Sequence, residues 1–310
     1  MRRAAKITIA VGVTLIILAT IGRVILGAHV PKAVKPAAGG YLGVSEAGEV
    51  DSYQVVNDFA ASIGRQPDIV LYYSSWEEPF QERFAAQVHA HKATPFVQIE
   101  PGKTSLAMIA AGRYDAYLRS YADQVKAYGG PVIVGFGAEM NGYWDPWGYG
   151  HTSPAVFVAA WRHIVTLFRQ QAADKVIWLW TVDVTGPGTG PIQDWWPGAN
   201  FVTWVGIDGY YYLRSNTFDS VFLPTIAEVR IFTDRPIILS ETAIGQVAGQ
   251  AAKIPDLFAG VQANHLLGLV WFDQPQHGSV YHQDWRLEGN SAGLAAFRRE
   301  LKGYQKPAAP

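Results

Sequence analysis

The chain contains no cysteine, so neither a disulfide framework nor a thiolate metal site can be built from it. Charge is scarce as well: Asp, Glu, Lys and Arg make up 16% of the 310 residues, against roughly 25% in an average globular domain. The net charge of −1 leaves no basic excess, which argues against a nucleic-acid partner. No HExxH occurs, and His89 and His91 stand two apart and face different ways on a helix, so no metal and no cofactor is expected. The run Thr185 to Pro191 lacks the lysine of a phosphate loop, and its prolines read as a rigid turn. Gly289 to Gly293 has the form of a serine-hydrolase elbow, but no His or Asp follows it. It reads instead as the cap of a last helix running through Leu294 and Phe297.

What the chain does hold is apolar bulk. Hydrophobic residues are 49% of the total and include eleven Trp, fifteen Tyr and fourteen Phe, enough for one sizeable core. The length suits a single α/β barrel. Arg2, Arg3 and Lys6 precede an apolar run from Ile7 to Gly22, the pattern of a secretory signal or, if uncut, of an anchor. The organisation expected is therefore a signal or anchor over 1–30, a linker over 31–39 (PKAVKPAAG at its core), a catalytic domain over 40–304 and a tail over 305–310. Localisation follows as secreted, or membrane-anchored and facing outside, with membrane contact only through that first segment.

Beyond the linker, short apolar runs alternate with amphipathic segments. Eight runs read as strands: Tyr41 to Val44, Ile69 to Tyr73, Pro95 to Ile99, Val132 to Phe136, Val176 to Trp180, Phe201 to Ile207, Pro236 to Leu239 and Leu267 to Phe272. Tyr114, Leu118, Tyr121, Ala122 and Val125 fall on one face of a helix that should stop at Gly129. Ser153 and Pro154 should open another, striped by Phe157, Ala160, Trp161, Ile164 and Phe168. Strand and helix alternating eight times predicts a (β/α)8 TIM barrel, with a doubly wound open sheet as the alternative.

Two of the predicted strands deliver a glutamate at their C-terminal ends, where a barrel of this kind keeps its chemistry. VIVGFGAEMNGYWDPWG brings Glu139, followed by Asn141, Trp144 and Trp147; PIILSETAIG brings Glu241. Cleaving a glycosidic bond needs one carboxylic acid to protonate the leaving oxygen and a second carboxylate to attack or to activate water. Indole rings beside an acid suit the C–H faces of sugars, so Trp144 and Trp147, with Asn141, are candidate substrate-binding residues. Asp183, Asp208 and Asp273 are weaker candidates near strand ends, with a structural role expected for each, and Trp76 and Glu100 could line distal subsites.

GAEMNGYWDPWG, with WWPGANFVTWVGIDGYYY and ILSETAIG, resembles glycoside hydrolase family 26, the β-mannanases and related endo-β-glycanases with glutamates after strands four and seven. The likeness spans residues 40 to 300. It implies a retaining double displacement with Glu139 as acid/base and Glu241 as nucleophile, the two carboxyls about 5 to 5.5 Å apart. It also implies that Tyr210 hydrogen-bonds the nucleophile and that Trp271 lies beneath the sugar being cleaved. Members of the family usually carry His just before the acid/base, and here that position is Ala138, which can neither donate nor accept a hydrogen bond. The expectation is a monomer acting on a polysaccharide, first β-1,4-mannan, then β-glucan or xylan. A non-hydrolytic polysaccharide-binding or exopolysaccharide-processing protein is the alternative.

Overall fold

The computed structural model describes residues 40–275 and 283–305. The expected signal or anchor segment, the linker and all but the first residue of the tail lie outside the described residues. Eight parallel strands close into a barrel in sequence order: β1 Tyr41–Ser45, β2 Ile69–Ser75, β3 Thr94–Glu100, β4 Val132–Phe136, β5 Val176–Asp183, β6 Trp204–Tyr211, β7 Ile237–Ile244 and β8 Gly268–Phe272. The open-sheet alternative is excluded by the pairing of β8 with β1, which runs from Tyr41 opposite Gly268 to Ser45 opposite Phe272.

Helices wrap the barrel because each carries one apolar stripe and must bury it. They are α1 Gln54–Ile63, α2 Glu82–Ala90, α3 Leu106–Ala110, α4 Asp115–Tyr128, α5 Pro154–Gln170, α6 Phe218–Phe232, α7 Gln250–Ala263 and α8 Ser291–Leu301. The predicted stripe of α4 is buried at Leu118, Tyr121, Ala122 and Val125, and Gly129 ends the helix with φ of 72°, its N–H reaching Val125 O. The Oγ of Ser153 caps α5 with Pro154 in the first turn, and the Oδ1 of Asn290 caps α8 at Gly293.

The alternation fails at one crossover. Between β5 and β6 the chain forms two short 3-10 turns, Ile192–Trp195 and Ala199–Phe201, instead of a helix. Bulk stands in for regular structure there: Trp195 packs edge-on against Phe157 of α5, and Trp196 against Trp180 of β5. The predicted strands β5, β6 and β7 also run further towards their C-terminal ends than the apolar runs suggested, to Asp183, Tyr211 and Ile244. Polar residues continue these strands because their neighbours supply the backbone pairing.

Successive strand residues point to opposite faces, so each strand feeds two cores. Ile69, Leu71, Phe96, Ile133, Leu179, Ile238 and Val270 fill the barrel axis. Their out-of-phase neighbours, such as Val70, Val134, Trp180 and Trp271, pack under the helices. Burying each such side chain contributes about 1.5–3 kcal/mol. Among the described residues no helix is long and apolar enough to cross a membrane.

The closing seam is tight. A Cβ on Gly268 would stand 2.0 Å from the Tyr41 carbonyl oxygen and 2.6 Å from its nitrogen, with backbone on the receiving side. Gly268→Ala is expected to cost about 2 kcal/mol and to lower the melting temperature by several degrees, read by circular dichroism. An unchanged melt would show that β8 and β1 can part without consequence.

Candidate active site

Glu139 sits just past β4, on a turn that only unusual backbone can make. Gly137 has φ of 55° and Glu139 itself φ of 56°, the left-handed region that a glutamate rarely adopts. The turn is held by Gly137 N–H to Ile99 O of β3 (3.0 Å) and Glu139 N–H to Thr181 O of β5 (3.1 Å). Trp147 supports it from below, its indole N–H donating to Ala138 O at 2.8 Å. Neighbouring strands thus aim the carboxyl inward over the barrel mouth.

Glu241 is delivered by a different device. It lies inside β7, not beyond its end as the sequence suggested. On β6, Ile207 and Asp208 face Leu239 and Glu241, so Ser240 is an extra residue. The pairing with β8 shows the same surplus between Leu239 and Thr242. This bulge lets Ser240 and Glu241 both look towards the axis. Ser240 Oγ–H donates to Asp208 Oδ1 at 2.6 Å, and Glu241 reaches the centre.

An oxygen of each of Glu139, Asp208 and Glu241 lies within 4.8 Å of the other two. That separation falls short of the roughly 6.5–9.5 Å of inverting glycosidases and sits with the retaining class. Tyr210 Oη–H donates to Glu241 Oε1 at 2.6 Å, as the resemblance implied. Tyr73 of β2, not among the expected site residues, donates to Oε2. Trp144 N–H donates to Glu139 Oε2 at 2.7 Å while its ring stays 43% exposed.

Burial pushes the Glu139 carboxyl well above its ordinary value, and the charges of Asp183, Asp208 and Glu241 add to the shift; the Trp144 N–H opposes it. Asp208 is likewise held well up by burial and by Glu241. Asp183 is pushed up to about 7, first by burial. Burial also raises Glu241, but both phenols pull it back down. Glu139 is therefore pushed furthest towards its protonated form, while two O–H donors offset part of the rise at Glu241. The three oxygens are hard donors of the kind that hold magnesium or calcium, yet each carboxylate already accepts an N–H or O–H. This suits proton sharing better than a cage of about six to eight oxygens.

Tyr73, Gln98, Glu100, Ala138, Asp145, Trp147, Phe272 and Gln274 complete a cleft of about 310 Å3 around Glu139, Asp208 and Glu241. Two expected substrate contacts are not there. Trp271 is 0% exposed: it is in phase with Leu269 rather than Val270, donates to Asp273 Oδ1 at 2.9 Å and meets Phe297 of α8 edge-on. The neighbouring Phe272 takes the place at the cleft. Asn141 is also 0% exposed, its amide bridging both backbone groups of Asp183 at 2.9 Å, which ties the Glu139 loop to β5. Trp147 offers the cleft only an edge, being 6% exposed. Trp76 packs among Tyr114, Tyr117 and Phe136, and Asp273 binds Trp271 and Leu287 structurally. The signal for Tyr73 was present: it follows Ile69 and Leu71 at period two.

The rim turn from Thr185 to Pro191 lies against the Glu139 loop, with Gly190 N–H donating to Asn141 O at 2.8 Å. Gly142 is required on the other side, since a Cβ there would fall 2.2 Å from the Trp144 ring.

Comparison with known proteins agrees with this geometry. The model of glycosyl hydrolase family 26 matches residues 39–264. Endoglucanase H of Acetivibrio thermocellus is 29% identical over 272 residues, covering 82% of this chain and 29% of its own length. A beta-1,3-xylanase of a Vibrio species is 27% identical over 115 residues, 36% of this chain and 24% of that protein. The chain thus spans less than a third of either curated relative. A double mutant of the Cellulomonas fimi endo-beta-1,4-mannanase superposes with a TM-score of 0.66 at 14% identity, over 84% of this chain and 70% of that one, a likeness of fold.

The raised carboxyls predict a pH dependence of stability. Below about pH 4 folded and unfolded chains both hold these protons. As pH rises the unfolded chain releases them first, so stability is lost through pH 7 and above, where Asp183, Asp208 and Glu139 resist ionisation. Asp208→Asn should therefore melt above wild type at pH 8 and lose that advantage at pH 4. Equal offsets at both pH values in calorimetry would contradict the buried cluster.

Proposed function

The chain belongs to glycosyl hydrolase family 26, and from that membership and the carboxylate geometry we propose that it is a retaining endo-β-glycanase. The observation that carries the reading is the approach of Glu139 and Glu241 oxygens within 4.8 Å in one cleft.

Glu139 enters the cycle protonated. Trp144 occupies Oε2, which leaves Oε1 to carry the proton to the leaving oxygen. Glu241, ionised between two phenols, attacks the anomeric carbon as that C–O bond breaks, and a glycosyl ester forms. Glu139, now a carboxylate, takes a proton from water; the water oxygen bonds to the anomeric carbon and the ester electrons return to Glu241. Loss of the Glu241 charge in the ester eases ionisation of Glu139, which matches its change of role. The exposed faces of Trp144 and Tyr143 extend from Glu139, and so from the leaving-group side, as expected of a polymer substrate.

β-1,4-Mannan is the first substrate, supported by the fold shared with mannanases. A mixed-linkage or other β-glucan is the second, favoured by two observations: Ala138 lines the cleft and brings no hydrogen bond to a sugar hydroxyl where the family usually has His, and the relative matched over most of this chain is an endoglucanase. The basic and apolar start of the chain supports delivery outside the cytoplasm, where such polymers lie.

Reducing-sugar release by the full chain on mannan, glucomannan, mixed-linkage glucan and β-1,3-xylan tests the substrate. Glu139→Ala and Glu241→Ala should each lose at least roughly a hundredfold in kcat. With an activated aryl glycoside, azide should rescue Glu139→Ala to a β-azide and Glu241→Ala to an α-azide. Rescue with the opposite stereochemistry would reverse the assignment, and activity in both variants would end it.

A further inference from the structure

Both oxygens of Glu241 are held by phenols from opposite sides of the barrel. Tyr210 comes from β6 and binds Oε1; Tyr73 comes from β2, four strands away around the ring, and binds Oε2. Tyr73 is in phase with Ile69 and Leu71 of the axial core, β3 pairs beside it at Gln98, and its side chain opens to the cleft at 36% exposure. Two donors at such an angle fix both the position and the rotation of the carboxylate.

A second donor suits the charge of the cleft. Its described lining holds Glu100, Glu139, Asp145, Asp208 and Glu241, and among the described residues no Lys, Arg or His. A carboxylate withdrawn from water among like charges must be met by hydrogen bonds if it is to stay ionised. Here neutral hydroxyls meet it.

We propose that Tyr73 is a positioning residue for Glu241, needed most in the second half of the reaction; this rests on the retaining reading above. In the first half, Glu241 gives up its charge as its oxygen bonds to the anomeric carbon, so a donor to the carboxylate loses strength on the way to the ester. In the second half the order is reversed. Water bonds to the anomeric carbon, its proton passes to Glu139, the ester C–O bond breaks, and the electron pair returns to Glu241. The Tyr73 O–H then meets a growing negative charge, and its bond, weak in the ester, strengthens again in that transition state. Tyr73 thus makes Glu241 a better leaving group at the expense of some nucleophilicity in its attack, so its removal slows the second half and not the first.

Tyr73→Phe removes the donor and keeps the ring. On an activated aryl β-glycoside that wild type cleaves, kcat should fall roughly ten- to hundredfold, with KM falling alongside as the ester accumulates, and a burst of aryl alcohol matching the enzyme concentration should appear. The acid limb of kcat/KM should move to higher pH, because Glu241 loses a bond that favours its ionised form. That limb belongs to the whole group facing Tyr73 and Glu241, namely Glu100 at the end of β3, Glu139 beyond β4, Asp183 on β5 and Asp208 on β6. 3-Fluorotyrosine at position 73, a stronger donor of nearly the same shape, should move the limb the other way. An equal loss in kcat and kcat/KM, without a burst and with an unmoved limb, would reduce Tyr73 to a packing residue and overturn the proposal.

A readout free of turnover separates this from the retaining reading. The 13C signal of the Glu241 carboxyl, titrated without substrate, should have its midpoint raised by Tyr73→Phe and lowered by the fluorotyrosine. If wild type cleaves no glycoside, the retaining reading fails, and the titration still decides whether Tyr73 holds Glu241. A midpoint unchanged in both variants would refute that hold.

Discussion

Closure of β8 onto β1 is the constraint from which the rest follows. In a closed ring every strand has one face towards the axis and one towards the helices, and only side chains of the first kind can meet above the barrel. Tyr73, Gln98, Asp208 and Phe272 arrive at the cleft by keeping to that parity. Glu241 arrives by breaking it: one extra residue in β7 turns both Ser240 and Glu241 inward, so a single bulge anchors Asp208 and delivers the nucleophile candidate. A bulge in a closed barrel is locked by pairing on both flanks, which makes the placement rigid.

Rigidity matters because the assembled charges repel. Carboxylates from β4, β5, β6 and β7 converge, and among the described residues no cation lines the cleft to balance them. The structure meets this with neutral donors distributed unequally: two phenols on Glu241, one indole on Glu139, one hydroxyl on Asp208. Unequal donation is what separates a carboxyl that holds its proton from one that gives it up. The left-handed backbone at Glu139 belongs to the same design, since strain there is maintained by bonds to β3 and β5 on either side.

Much of this was legible in the chain. Eight apolar runs and the intervening stripes announced the barrel, and the strand ends carrying Glu139 and Glu241 announced the cleft, because burial and period leave a direct trace in residue order. The β5 to β6 crossover left no such trace: a segment rich in Trp, Pro and Gly packs by bulk and needs no helical period. Asn141 misled for a related reason, since an amide that recognises a sugar and one that clamps the backbone of Asp183 look alike in sequence.

The sequence by itself determined the fold class, the two strands that bring a glutamate to the cleft and the family to which the chain belongs, all of which rest on local pattern and on residue type. Only the tertiary structure decided phase and partnership. In LGLVWF nothing in residue order says which of two adjacent aromatic rings looks inward; Val270 packs in the axial core, so Phe272 reaches the cleft and Trp271 goes under α8. That Tyr73 should hold Glu241, 168 positions away, is equally silent in the chain, because it depends on two strands three apart around a closed ring meeting over its mouth.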